Sequence, residues 1–166
     1  MNAAIVYVMG VSGSGKTTIG KKLSFRTLIP FFDADDLHSL ANKEKMRSGK
    51  PLTDEDRRGW LKNVNELARS QMNDKGAIIA CSALKEKYRE IMEAGIKVPV
   101  YWIFLKGSYD LIAGRIKNRK NHFMPSALLG SQFEALEEPG RALSIDISKT
   151  PDDIVEDILT ELKKPR

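Results

Sequence analysis

A chain of 166 residues with 42% apolar and 30% charged residues can bury a substantial core, and it contains no apolar run of bilayer length. Its net charge of +5 comes from basic residues interleaved with Asp and Glu, which favours solvated helix faces plus a local anionic pocket over nucleic-acid binding. One cysteine, Cys81, excludes an internal disulfide framework, and no Cys/His cluster has zinc-ligand spacing. With no signal-like N-terminus, the expectation is a cytoplasmic protein of one domain over residues 1–166, without membrane or nucleic-acid partners.

Residues 3–9 are apolar without alternation, which predicts a strand covered on both faces, as in a parallel sheet between helices. Gly10-Val11-Ser12-Gly13-Ser14-Gly15-Lys16-Thr17 follows and leads into a helix over 17–25. Strand, glycine-rich turn and helix is the context that makes a Walker A phosphate loop credible. Triphosphate needs many donors at short range. Glycines at 10, 13 and 15 let successive backbone N–H groups of Gly10, Val11, Ser12, Gly13, Ser14 and Gly15 face one point. The helix start, with Thr18, adds unpaired N–H groups and a positive dipole end. Lys16 is expected on the β- and γ-phosphates of ATP, and the Thr17 hydroxyl on Mg²⁺.

Residues 30–33 read as a short second strand that ends in Asp33-Ala34-Asp35-Asp36. Strand alternation puts Asp33 and Asp35 on one side, beside the phosphate loop. Asp33 is assigned a magnesium-bound water, and Asp35 the hydrogen bond from an acceptor alcohol. A short helix over 42–48 stops at Gly49 and Pro51. Thr53 caps a long helix that runs through Trp60, Leu61, Val64 and Leu67 to about residue 72. Trp60 is read as core. The third strand, 77–81, runs into Ser82, where a second metal-binding Asp is usual, so Asp33 must take that role. Cys81 is read as a buried small hydrophobe.

A helix over 84–94 and a strand over 98–105 follow. The next helix, 108–120, carries Arg115 and Arg119 four residues apart and therefore on one face. Residues 121–125 break it, and a further helix over 125–136 completes a candidate lid at about 115–135. Arg119 is expected to meet charge developing on the γ-phosphoryl group, and Arg115 to stack on the base. His122 is read as a hydrogen-bonding lid residue, not a base. Arg57, Lys85 and Arg89 are candidates for an anionic acceptor, with His38 and His122 also on the acceptor side. A strand over 144–147 and a helix over 151–162 close the chain. The alternation implies an α/β fold in three layers, a five-stranded parallel sheet flanked by helices, with ligands at the strand C-termini.

These residues together resemble the gluconokinase family of small P-loop sugar-acid kinases, relatives in fold of shikimate kinase. The resemblance is carried by the phosphate loop, by Asp33 to His38, and by Lys45-Met46 with Gly49 to Asp54. It continues in Asp56-Arg57, Trp60-Leu61, Cys81 to Lys85, Tyr88-Arg89, Leu105 to Gly107, Arg119 with His122 to Pro125, Ser131 to Glu134 and Leu136 to Pro139. Ser39 and Gly59 stand where the family usually has proline, and Asn121 where glycine is common. The resemblance implies transfer of the ATP γ-phosphoryl group to the 6-hydroxyl of D-gluconate, with Mg²⁺, in a cytoplasmic homodimer feeding the pentose phosphate or Entner–Doudoroff routes. Shikimate kinase or another small-metabolite kinase of this fold is the alternative, although a shikimate kinase would show a glycine run after the third strand. A non-catalytic nucleotide-binding module is the remaining one. Asn42-Lys43-Glu44-Lys45 begins like a guanine-reading string but lacks its Asp.

Overall fold

The computed structural model describes residues 2–119 and 126–165. In chain order it contains β1 (Ala4–Met9), α1 (Lys16–Thr27), β2 (Phe31–Asp33), a 3-10 turn (Ala34–Leu37), α2 (Leu40–Arg47), α3 (Asp54–Gln71) and β3 (Gly76–Cys81). Then come α4 (Glu86–Glu93), β4 (Val100–Lys106), α5 (Tyr109–Lys117), α6 (Ser126–Ala135), β5 (Leu143–Asp146) and α7 (Pro151–Leu162). Among the described residues no helix is long and apolar enough to cross a membrane.

All five strands are parallel, in the order β2-β3-β1-β4-β5. The unbroken apolar run of β1 has the predicted consequence, since all six of its residues are buried. Successive side chains of a strand point to opposite faces, so β1 feeds two cores. Val6 and Val8 pack with Ile19 and Leu23 of α1, Ile112 and Ile116 of α5, and Ile154 and Ile158 of α7. Ile5, Tyr7 and Met9 pack with Trp60, Val64 and Ala68 of α3 and with Tyr88 and Met92 of α4. Each large aliphatic side chain removed from water in this way contributes about 1.5–3 kcal/mol. The result is three layers.

Topology then places the site. From β1 the chain moves out to the edge strand β2, returns through β3, and crosses to β4 on the other side of β1. That reversal opens a crevice at the carboxyl ends of the strands, where the loops after β1, β2 and β3 meet. Thr53 caps α3 as predicted, in a reciprocal box: its hydroxyl accepts the Asp56 N–H at 3.1 Å, and its own N–H donates to Asp56 Oδ2 at 2.9 Å.

Several helix bounds differ from the sequence expectation by a few residues, and two of these differences bear on the site. α5 ends at Lys117 with Asn118 as its C-cap: Ile116 is its last buried apolar residue, and Lys117, Asn118 and Arg119 are exposed. α4 starts only at Glu86, because Ala83 takes a left-handed φ of 45° and Lys85 is extended.

Candidate active site

The phosphate loop joins the end of β1 to α1. Gly13 and Gly15 adopt φ of 79° and 98°, left-handed values that side-chain-bearing residues rarely take. At Gly13 a Cβ would also lie 2.7 Å from Ile116 Cγ1. The start of α1 has no capping side chain and no acidic residue in its first turn, so its N-terminal N–H groups lack side-chain acceptors. Such a helix end favours an anion. Lys16 folds back to donate to the Val11 carbonyl at 3.0 Å, and burial lowers its pKa, with Asp35 opposing the shift. Ser14 Oγ is buried and has no hydrogen-bond partner among the described residues. Thr18 is exposed on α1.

The two acids after β2 take different directions. Asp33 ends the strand and caps the 3-10 turn, its Oδ1 accepting the Asp35 N–H at 3.0 Å. Its Oδ2 accepts the Thr17 hydroxyl proton at 3.0 Å. Asp35 therefore lies in the 3-10 turn and not on a strand face shared with Asp33, which corrects the alternation argument. Its carboxylate lines the main cleft with Lys16. The residue is open to cleft water, yet the protein packed around it raises its pKa above the usual carboxylate range, with Lys16 opposing.

The pair Thr17 and Asp33 fits a magnesium ion on chemical grounds: both offer hard oxygen donors, and they already sit within hydrogen-bond distance of each other. Among the described residues no group of three or more His, Cys, Asp or Glu could hold a metal by itself. Few protein ligands suit an ion bound chiefly through substrate phosphates and water.

The cleft has a volume of about 520 Å³ and gathers Ser12 and Lys16 of the loop, Asp35 and His38 of the turn, Arg57 and Trp60 of α3, and Lys85 before α4. His38 is 8% exposed and stacks on Trp60, with ring centroids 4.3 Å apart and planes 12° from parallel. Trp60 Nε1 donates to the Ala34 carbonyl at 2.7 Å. Trp60 is thus core, as expected, and also cleft wall. Burial, with Arg57 and Lys43 adding to it, pushes His38 down to about 4. Its tautomer follows from its neighbour. Asn42 Nδ2 donates to the Asp56 carbonyl at 2.7 Å, which fixes it as the amide nitrogen, and it lies 3.4 Å from His38 Nδ1. Nδ1 must accept, so the proton of the neutral ring is on Nε2.

Arg57 and Lys85 converge on Tyr88, with their charged groups 5.3 and 5.7 Å from the ring centroid. Arg57 also donates to the Leu52 carbonyl and to the Tyr88 hydroxyl. Asp54 receives Lys87 and the Tyr88 hydroxyl and lies 3.7 Å from Lys85, contacts that hold its carboxyl well below the usual range and tie α3 to α4.

Other expected residues stand elsewhere. Arg89 is 3% exposed and does not line the cleft; it donates to the Ala83 carbonyl at 2.7 Å, to the Glu137 carbonyl at 2.9 Å and to Glu86. It braces the loop after β3. Arg115 donates to the Ile147 carbonyl after β5, and Arg119 lies beyond the end of α5, so the two do not share one helix face. Arg119 is exposed and close enough to Lys16 to act on it electrostatically. His122 lies outside the described residues.

The cleft lining includes polar residues to which the sequence analysis gave no role. Arg47 lines the wall from α2, and Gln132 does so from α6. Gln132 could have been found: it falls three and four positions after the buried Leu129 and Leu128, a polar residue on the apolar face.

A family model described as shikimate kinase matches residues 12–162. A probable gluconokinase of Dictyostelium discoideum is 46% identical over 96% of this chain and 86% of its own length. The thermoresistant gluconokinase of Escherichia coli is 40% identical over 96% of this chain and 94% of its own. The crystal structure of a gluconokinase from Sinorhizobium meliloti superposes with a TM-score of 0.86 at 37% identity, covering 96% of this chain and 91% of that one. The chain belongs to the gluconokinase family, within the P-loop kinases built like shikimate kinase.

Proposed function

We propose that this protein is an ATP-dependent kinase that transfers the γ-phosphoryl group to the 6-hydroxyl of D-gluconate, giving 6-phosphogluconate and ADP. The observation that carries the reading is a phosphate loop opening directly onto a cleft that also holds a carboxylate, Asp35, and a cationic pair, Arg57 and Lys85. The curated relatives named gluconokinase support the acceptor.

The roles follow from chemistry. The loop amides other than that of Ser12, which donates to Gln132 Oε1, together with the free N–H groups of α1 and Lys16 bind the triphosphate. Thr17 and Asp33 would hold Mg²⁺, whose chemistry there is to neutralise phosphate charge. Asp35 accepts the proton of the acceptor alcohol and aligns its oxygen with the phosphorus, a task suited to a carboxylate whose pKa lies above the ordinary value. Arg57 and Lys85 take the acceptor carboxylate, for which guanidinium offers two parallel donors. His38, neutral and with its proton on Nε2, donates to a hydroxyl. Arg119 stabilises charge on the moving group, as its electrostatic reach to Lys16 suggests. The same reading takes residues 1–166 as one kinase domain with a lid at about 115–135.

A coupled ADP-release assay with gluconate, shikimate and other aldonates tests the acceptor. Gluconate should give kcat/KM at least about 100-fold above shikimate, because a six-carbon polyol acid uses the carboxylate and alcohol contacts together. Turnover of shikimate at or above the rate of gluconate would overturn the reading.

A further inference from the structure

The wall contributed by α6 carries a polar group that the mechanism above leaves unused. α6 packs inward through Leu128 and Leu129, 7% and 2% exposed, and Gln132 shares that inner face. The backbone N–H of Ser12 donates to Gln132 Oε1 at 2.7 Å, a contact between residues 120 positions apart in sequence. An N–H donates only to the oxygen of a carboxamide, so this bond fixes which limb is which. The other limb, Nε2, carries two N–H donors and has no protein acceptor among the described residues. Gln132 lines the same cleft as Lys16 and Asp35, and its tie to Ser12 places it at the phosphate-loop end.

We propose that Gln132 is a specificity-determining residue of the acceptor site, its Nε2 donating to a hydroxyl oxygen of the polyhydroxy acid near the reacting alcohol while Ser12 holds its Oε1. This rests on the gluconate reading above. A neutral donor suits a hydroxyl, whereas the acceptor's carboxylate is better matched by the cations Arg57 and Lys85. Because Oε1 is already bonded, the side chain gives up little rotamer freedom when substrate arrives. An acceptor without that hydroxyl would leave the donor unpaired against the bound ligand, which is how a hydrogen-bonding pocket discriminates.

The test compares gluconate with its monodeoxy derivatives in the wild-type protein and in Gln132→Met and Gln132→Glu. In the wild type, one deoxy compound should lose about tenfold in kcat/KM, the scale of one neutral hydrogen bond. In Gln132→Met, gluconate itself should fall by about that factor and the same deoxy compound should no longer be discriminated, with KM for ATP within about twofold. Gln132→Glu keeps an oxygen for Ser12 and lacks the donor, so it should lose the same discrimination. Undiminished discrimination in either folded variant, or a rise in KM for ATP matching the whole loss in Gln132→Met, would overturn the assignment. A wild-type protein inert towards gluconate would instead refute the functional reading, before any variant is compared.

Discussion

Single side chains in this cleft are defined by their partners. His38 shows it best: Trp60 covers its face, Asn42 occupies its Nδ1, and Arg57 and Lys43 add positive charge nearby. The folded ring, held at about 4, resists protonation, while in the unfolded chain it takes a proton near the ordinary value of 6.5. As pH falls the unfolded state binds the proton first, so His38's contribution is full above about 6.5 and is lost towards about 4. The upper bound is about 3 kcal/mol, for an imidazole brought from 6.5 down to about 4. Denaturation curves between those pH values should show this loss in the wild type and a flatter profile in His38→Phe, which keeps the stacked ring and removes the titration. Parallel profiles would refute the assignment. The sequence marked His38 as an acceptor-side residue, but its charge state was not legible there, because burial and stacking come from α3, well separated in sequence.

At the scale of elements, the loop between β3 and α4 forms part of the cleft wall through Ser82, Leu84 and Lys85. Its left-handed Ala83 turns the chain sharply, and Lys85 stands at the N-cap position of α4 without a capping bond, its side chain over Tyr88. Arg89 locks this turn by bonding the Ala83 and Glu137 carbonyls from beneath. Sequence suggested Arg89 as an acceptor ligand because an arginine near Lys85 matches a carboxylate. Which face of α4 meets the interior depends on tertiary packing, and Arg89 lies on the inner one. Arg89→Leu should cost about 2–4 kcal/mol in denaturant unfolding, since it strands buried carbonyls. It should raise KM for gluconate more than KM for ATP. A loss under about 0.5 kcal/mol would show that the brace is dispensable. The end of α5 repeats the lesson: Arg115 and Arg119 have helical spacing, but the helix stops between them, just after Ile116, its last buried apolar residue.

For the whole molecule, the strand–loop–helix unit at the N-terminus was readable because its motif dictates local geometry. Left-handed glycines and a bare helix start need no distant partner to be recognised. The parallel sheet was readable from the unbroken apolar β1, and the long α3 from Thr53 and its stripe. The parting of Asp33 from Asp35 was not, because a 3-10 turn replaces strand alternation just where the second acid falls. That parting underlies the account, giving one acid to Thr17 and the other to the cleft beside Lys16. The most direct test is single-turnover transfer from ATP to gluconate in Asp35→Asn, with nucleotide affinity measured separately. Transfer should slow by about 10²–10³ while ATP affinity stays within about threefold. A variant that transfers at the wild-type rate would contradict the role given to Asp35 and, with it, the mechanism.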